Sequence, residues 1–215
     1  MALEVIQLEN QLMKSNCFIL VDWVSKSCVI IDPASEKSEQ EIEFIEKYSL
    51  HLDYIMLTHE HTDHTWGVNA LKEKYPESKI LCSEACNKYA PKASRAYFLL
   101  YFDNPNYRYV IKPADVIIRK QEEFLDWHGY RFNFVITPGH SYGSMCIGIG
   151  NILFTGDTVM PFSPHLNKRD SNREDWKNSI KLIEKKYLQD MEVYPGHGEK
   201  LSLDLWLQNP NYSSI

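Results

Sequence analysis

Short apolar runs separated by polar breaks fill the first third of the chain. Leu3–Leu8, Cys17–Asp22 and Cys28–Asp32 are rich in β-branched and apolar residues, a pattern that predicts strands. Ser38-Glu39-Gln40-Glu41 then has the capping-box form, and Ile42, Phe44, Ile45 and Tyr48 follow in a helical stretch. Asp53–Thr58 predicts a strand that feeds a histidine-rich run. Val68–Lys74 predicts a helix stopped near Pro76, and Lys79–Ser83 another strand. From Glu84 to Lys112 the pattern changes. Tyr89, Tyr97, Phe98, Tyr101, Phe102, Tyr107 and Tyr109 crowd together, broken by Pro91 and Pro105. A helix that becomes irregular is expected there. Its aromatics read as a packing face or, alternatively, as a lid, a pocket wall or a subunit contact.

The second half returns to strands. Ala114–Lys120, Glu123–Trp127, Tyr130–Thr137, Met145–Ile149 and Asn151–Thr155 carry the pattern, with turns at His128-Gly129 and Gly150. Arg173–Leu188 is amphipathic, with Trp176, Ile180, Ile183 and Tyr187 on one side. Met191–Tyr194 predicts a last strand and Leu201–Leu207 a short helix. No low-complexity linker interrupts the chain. The reading is a mixed α/β fold, two sheets covered by helices, in one domain over 1–215. The halves are loosely alike, each running from strands through a helix to a strand that ends at a histidine.

Four places share a further regularity: an apolar strand, a turn, then a side chain able to bind metal. Tyr54–Thr58 leads to His59, Phe134–Gly139 to His140, Ile152–Gly156 to Asp157, and Val193–Gly196 to His197. Strand ends in layered α/β domains gather at one rim, where ligands bind. Glycine beside each of the last three lets the backbone turn sharply. Within His59-Glu60-His61-Thr62-Asp63-His64, residues two apart share a face in extended chain, so His59 and His61 can grip one ion. A turn into helix near Asp63 would send Asp63 and His64 toward a second. Imidazole and carboxylate ligands suit zinc, and also iron or manganese. A single histidine such as His51, His128 or His165 reads as a surface or hydrogen-bonded group rather than a ligand. Three histidines and an aspartate in one short run do not.

Composition narrows the partners. Of 215 residues, 44% are hydrophobic and 24% charged, and the formal net charge is -6. That balance argues against a nucleic-acid partner. Five cysteines, with no C-x-x-C pair, read as buried thiols in a reducing compartment. The N-terminus has no basic segment followed by an apolar one, and no apolar run approaches the ~18 residues that span a bilayer. A cytoplasmic protein without a membrane partner is expected.

His59-x-His61-x-Asp63-His64-x-x-Gly67 resembles the signature of the metallo-β-lactamase superfamily. Thr137-Pro138-Gly139-His140-Ser141, Phe154-Thr155-Gly156-Asp157 and Pro195-Gly196-His197-Gly198 resemble its later motifs, in the family's order. The resemblance implies a four-layer αββα sandwich. It also implies that His59, His61 and His140 hold one divalent ion and that Asp63, His64 and His197 hold a second, with Asp157 bridging. Two zinc ions are the first expectation. A water or hydroxide activated between them would attack the substrate, oriented by Asp63 as the catalytic carboxylate. Asp32 is a candidate acceptor for a ligand histidine's second N–H, or else a turn residue before Pro33. The nearest resemblance is to glyoxalase II-like hydrolases and lactonases, which implies a small thioester, lactone or other ester as substrate. Tyr101, His165, Lys168 and Arg169 are candidate substrate contacts. A homodimer is one option for the aromatic stretch. A cysteine ligand would be wanted at Asp157 in one lactamase branch, which argues against β-lactam hydrolysis. The alternatives are a mono-iron persulfide dioxygenase-like oxidoreductase and a non-catalytic metal-binding sensor.

Overall fold

Burial separates edge from interior in the first sheet. Strand β1 (Leu3–Glu9) never fully buries a residue, whereas β2 (Asn16–Asp22) and β3 (Ser27–Ile31) are buried throughout. β1 is the sheet's outer strand, and the two apolar runs lie inside it. The computed structural model describes residues 3–10, 13–91, 109–166, 169–187 and 190–209. Its contacts divide the chain into two compact units, Met1–Ile117 and Ile118–Ile215.

The first unit is built on a mixed sheet in the order β1-β2-β3-β4-β5-β6, with β4 at His51–Met56, β5 at Lys79–Ser83 and β6 at Val116–Ile118. β1, β2 and β3 form an antiparallel meander. β3, β4 and β5 are parallel, so helices must connect them. Helix α1 (Glu39–Tyr48) makes the first crossover; α2 (Thr62–Thr65) and α3 (Val68–Lys74) make the second. In the parallel register Ile31 pairs with Met56, and Met56 with Leu81. The carboxyl ends of β3 and β4 therefore lie side by side, and Asp32 and His59 leave from the same rim. Below them Ile19, Val21, Ile30, Ile55, Val68 and Leu71 form the core. Helix α4 begins at residue 84 and is described to 91.

One local expectation fails. Ser38 is the residue before α1, but its φ of 48° is left-handed and its side chain caps nothing in the helix. Its hydroxyl lies against the carbonyls of Ser35 (3.4 Å) and Gly67 (3.3 Å) instead. Glu41 does not close a capping box; it is buried, at 1% exposure. Packing against the Gly67 turn outweighs the local cap.

The second unit has a mixed sheet in the order β12-β11-β10-β9-β8-β7. Strands β7 (Glu122–Trp127), β8 (Tyr130–Ile136), β9 (Met145–Ile149) and β10 (Ile152–Gly156) are successively antiparallel. His128 and Gly129 both have positive φ, 46° and 86°, as the tight turn between β7 and β8 requires. β11 (Glu192–Pro195) pairs parallel with β10, and the two-residue β12 (Leu201–Ser202), which the hydrophobic pattern does not reveal, pairs with β11. Two reversals make β8 run the same way as β10, and β11 joins them. Three carboxyl ends thus share one rim, and His140, Asp157 and His197 follow them. Helix α5 (Arg173–Lys186) buries Trp176, Ile180 and Ile183 as its periodicity predicts; the expected end at Leu188 lies outside the described residues. Helix α6 (Leu203–Gln208) adds Leu203 and Trp206 to the same core. The α/β class, with two mixed sheets and flanking helices, is as expected.

Candidate metal centre

In the first unit β4 ends at Met56, and Leu57-Thr58 carry the chain to His59. The chain bends at Thr58 and Glu60, His61 itself is extended (φ −66°, ψ 147°), and α2 begins at Thr62. That change of conformation at Thr62 is the one the spacing argument needs. His59 Nε2 and His61 Nδ1 lie 3.1 Å apart. His64 Nε2 lies 3.7 Å from Asp63 Oδ2.

Asp32 sets the protons on two of these histidines. Its Oδ1 accepts the Thr58 N–H (2.8 Å), and its Oδ2 accepts the Thr58 hydroxyl (2.6 Å). Oδ2 is also 3.2 Å from His64 Nδ1. A carboxylate only accepts, so His64 Nδ1 carries its proton and Nε2 is the acceptor nitrogen. The Thr58 hydroxyl proton goes to Asp32. His59 Nδ1, 3.0 Å from that hydroxyl, must therefore donate to it, which again leaves Nε2 as the acceptor. One buried carboxylate thus fixes the tautomer of His64 directly and of His59 through Thr58. This is how proteins prepare imidazoles for a cation. Both readings of Asp32 hold together: it has a turn conformation before Pro33, φ 56°, and it is the histidines' partner. Thr58 had no sequence signal beyond its place before His59, because its partner is remote in the chain.

In the second unit Asp157 stands between two imidazoles. Its Oδ2 is 3.3 Å from His140 Nε2 and 3.6 Å from His197 Nε2. Pairing of Gly156 with Pro195, and a 2.8 Å bond from Gly196 N to the Gly156 carbonyl, set Asp157 beside His197. The start of α5 supports the His140 turn: Asn172 N–H donates to the Gly139 carbonyl (2.8 Å), and Ser179 Oγ to that of Pro138 (2.7 Å). The segment after Asp157 is fastened by two indoles. Trp176 Nε1 donates to the Thr158 carbonyl (2.9 Å) and Trp206 Nε1 to that of Met160 (2.7 Å). Of the glycines expected to make the turns, Gly139 and Gly156 have positive φ (137° and 49°); near His197 that role falls to Gly198 (80°), not Gly196.

The donors in both clusters are imidazole nitrogens and carboxylate oxygens, a set that fits a divalent zinc, iron or manganese ion. The polar atoms of Asp32, His59 and His64 lie within 4.8 Å of one another, so the two imidazoles and the carboxylate that orients them form one compact cluster. The thiols offer no competing nucleophile. All five cysteines are free and buried, and burial pushes Cys28 and Cys146 up to about 12. Among the candidate substrate contacts, His165 and Arg169 are exposed. Tyr101 and Lys168 lie outside the described residues, as does the aromatic stretch from 97 to 108. Tyr109, the end of that stretch, donates its hydroxyl to the Thr65 carbonyl (2.8 Å), at the last residue of α2.

Comparison with known proteins agrees with these motifs. A probable polyketide biosynthesis zinc-dependent hydrolase, BaeB of Bacillus velezensis, is 28% identical over 98% of this chain and 86% of that protein. Hydroxyacylglutathione hydrolase 1 of Vibrio vulnificus is 30% identical over 81% of this chain, but only 59% of that protein is covered. Among solved structures, the BLEG-1 B3 metallo-beta-lactamase matches with a TM-score of 0.87 at 22% identity, over 99% of this chain and 100% of that one. ETHE1 from Myxococcus xanthus matches at 0.77 and 20% identity, over 98% and 85%. At such identities the structures show the fold alone. The family model for the metallo-beta-lactamase superfamily matches residues 11–197, and the chain belongs to that superfamily.

Proposed function

We propose that this chain is a two-ion, zinc-using hydrolase of a small thioester, lactone or other ester. The observation that carries it is the Asp32–Thr58–His59 and Asp32–His64 pair of hydrogen-bond paths, which turn two Nε2 lone pairs toward a ligand position. BaeB, named as zinc-dependent, supports zinc, and the hydroxyacylglutathione hydrolase supports a small acyl substrate.

In this reading His59, His61 and His140 hold the first ion, and Asp63, His64 and His197 the second. Asp157 is shared between them. Bound divalent ions lower the pKa of water from 15.7 to about 7 and polarise a substrate carbonyl. Asp63 would bind the second ion and orient the attacking water. Asp32 and Thr58 hold His64 and His59 in one tautomer throughout. His165 and Arg169, with Tyr101 and Lys168, are proposed to face the substrate from the loop after Asp157 and the aromatic stretch. The partner is a small molecule. A cytoplasmic location and a homodimer remain part of the proposal, and no helix among the described residues is long and apolar enough to cross a membrane.

The test is elemental analysis of the purified chain beside a panel of thioesters, lactones, phosphoesters and β-lactams. Two zinc ions per chain, with ester hydrolysis lost on chelation and restored by zinc, is the expected result. One iron per chain with sulfur-dependent oxygen uptake would replace the reading with a dioxygenase. Bound metal without turnover on any substrate would favour a sensor.

A further inference from the structure

The turn between β1 and β2 reaches the metal loop through a closed circuit of buried hydrogen bonds. Asn10 and Ser15 are 1% and 0% exposed. The Asn10 Nδ2 group donates to Ser15 Oγ (3.0 Å) and to the Asp32 carbonyl (3.4 Å). Its Oδ1 accepts from Ala34 N (3.3 Å) and Ser35 Oγ (3.3 Å). Two donors and two acceptors are the whole capacity of a side-chain amide, so every one is in use. Three of the four hold the segment 32–35. That segment begins with Asp32 in a left-handed conformation, which a non-glycine residue keeps only when its surroundings fix it.

The circuit continues to the other side of the loop. The Ser15 hydroxyl accepts from Asn10 and passes its own proton to the backbone carbonyl of Asp63. In a longer helix Gly67 N–H, four residues on, would bond that carbonyl. Here Gly67 N–H turns away to the Pro33 carbonyl (2.9 Å). A side chain at Gly67 would meet Ser38 Oγ at 2.3 Å and the Ser35 carbonyl at 2.7 Å, so the backbone there cannot shift outward. Asp63 and Asp32 are thereby held at a fixed separation by Asn10 and Ser15 on one side and by Gly67 on the other.

We propose that Asn10 and Ser15 are positioning residues for the ion held by Asp63 and His64. They act through the Asp63 backbone, and through Asp32, whose carboxylate orients His64. His59 is reached only indirectly, from Asp32 through Thr58, whereas Asp63 and His64 are bonded to the circuit directly, so the effect is expected to be larger on the ion held by Asp63 and His64. The inference rests on the two-ion reading above.

The experiment uses the full chain, stripped of metal and titrated with Zn²⁺ against a competing chelator, then with Co²⁺ read by visible absorption. The wild type shows two binding steps. Ser15→Ala removes the donor to Asp63. Asn10→Asp keeps the size and the acceptor but loses both Nδ2 donors. Each is expected to weaken one step by about 10–100-fold, the usual effect of losing an outer partner, and to leave the other step in place. The Co²⁺ bands of one site should change and those of the other persist. Unchanged steps, or both steps weakened alike, would overturn the proposal while leaving the two-ion reading intact. A wild type with a single step would remove that reading and the proposal with it. Failure of both variants to fold would make the turn purely structural and also overturn it.

Discussion

The two clusters of ligands are held by different physics. His59, His61, Asp63 and His64 lie in one short run, where Asp32 and Thr58 orient His64 and His59 and the Asn10–Ser15 turn bonds the Asp63 carbonyl. His140, Asp157 and His197 come from three strand ends and rest on backbone placement: α5 is packed against Gly139, and the indole N–H groups of Trp176 and Trp206 hold the backbone carbonyls that follow Asp157. The first arrangement fixes which nitrogen carries a proton. The second fixes where the backbone stands. A polar network can be weakened one bond at a time, and the fold survives. A close-packed contact has no spare room, so a single methyl group displaces a whole element.

Gly139→Ala should therefore give the largest effect. A Cβ there would sit 2.3 Å from both Cα and N of Trp176, and the φ of 137° is one that alanine rarely adopts. Backbone strain and overpacking together should cost about 3 kcal/mol or more, roughly 10 °C in Tm, read by thermal unfolding of the stripped chain. An unfolding midpoint within experimental scatter of the wild type would break the claim that packing holds the second cluster. Asp32→Asn tests the other side. Asparagine tolerates the left-handed φ of 56°, so the backbone should stay. The amide can present N–H to His64 Nδ1 and spoil its tautomer. Zinc affinity should fall by about 10–100-fold, with only a small change in the stripped chain's stability. If Asp32→Asn unfolded the chain and Gly139→Ala only weakened metal binding, the comparison would be the wrong way round.

What the sequence reveals follows the same division. The run His59–His64 is legible because its ligands are neighbours and because a change from extended chain to helix at Thr62 separates the pairs. The strand ends that deliver His140, Asp157 and His197 are legible too, since each is an apolar run closed by a turn. The supports are not. Thr58 looks like any strand-end threonine until Asp32, 26 residues earlier, is seen to take its proton. Trp176 reads as a core residue, and its indole bond to Thr158 has no signature in periodicity. Ser38-Glu39-Gln40-Glu41 shows the opposite error: a local motif with the right letters, overridden because Ser38 is wedged beside Gly67 and Glu41 faces the core. Asn10 and Ser15 carry no signal at all, for their meaning depends on three segments meeting.

Glu41 itself provides the smallest test of how far the first unit's interior tolerates polar groups. It is 1% exposed, and its carboxyl group lies beside the Cys17 thiol in the interior. Burial raises its pKa above the ordinary carboxylate value, and burial together with Glu41 raises that of the nearby Cys17 thiol. A carboxyl group whose pKa is raised by folding favours the folded state fully only below its unfolded pKa. As pH climbs from the unfolded value through the folded one, that contribution is lost. Glu41→Met replaces the carboxyl with an apolar group of similar length. It should raise stability by about 1 kcal/mol at neutral pH, the order expected for removing a desolvated buried polar group. The gain should shrink as the pH is lowered into the usual carboxylate range, where the wild-type group is neutral. Melting curves of both proteins between pH 4 and pH 8 read the difference. A gain that grew toward low pH would mean that Glu41 is stabilised as an anion. The polar layer of the first unit would then reach past Asp32 and Asn10 to include α1.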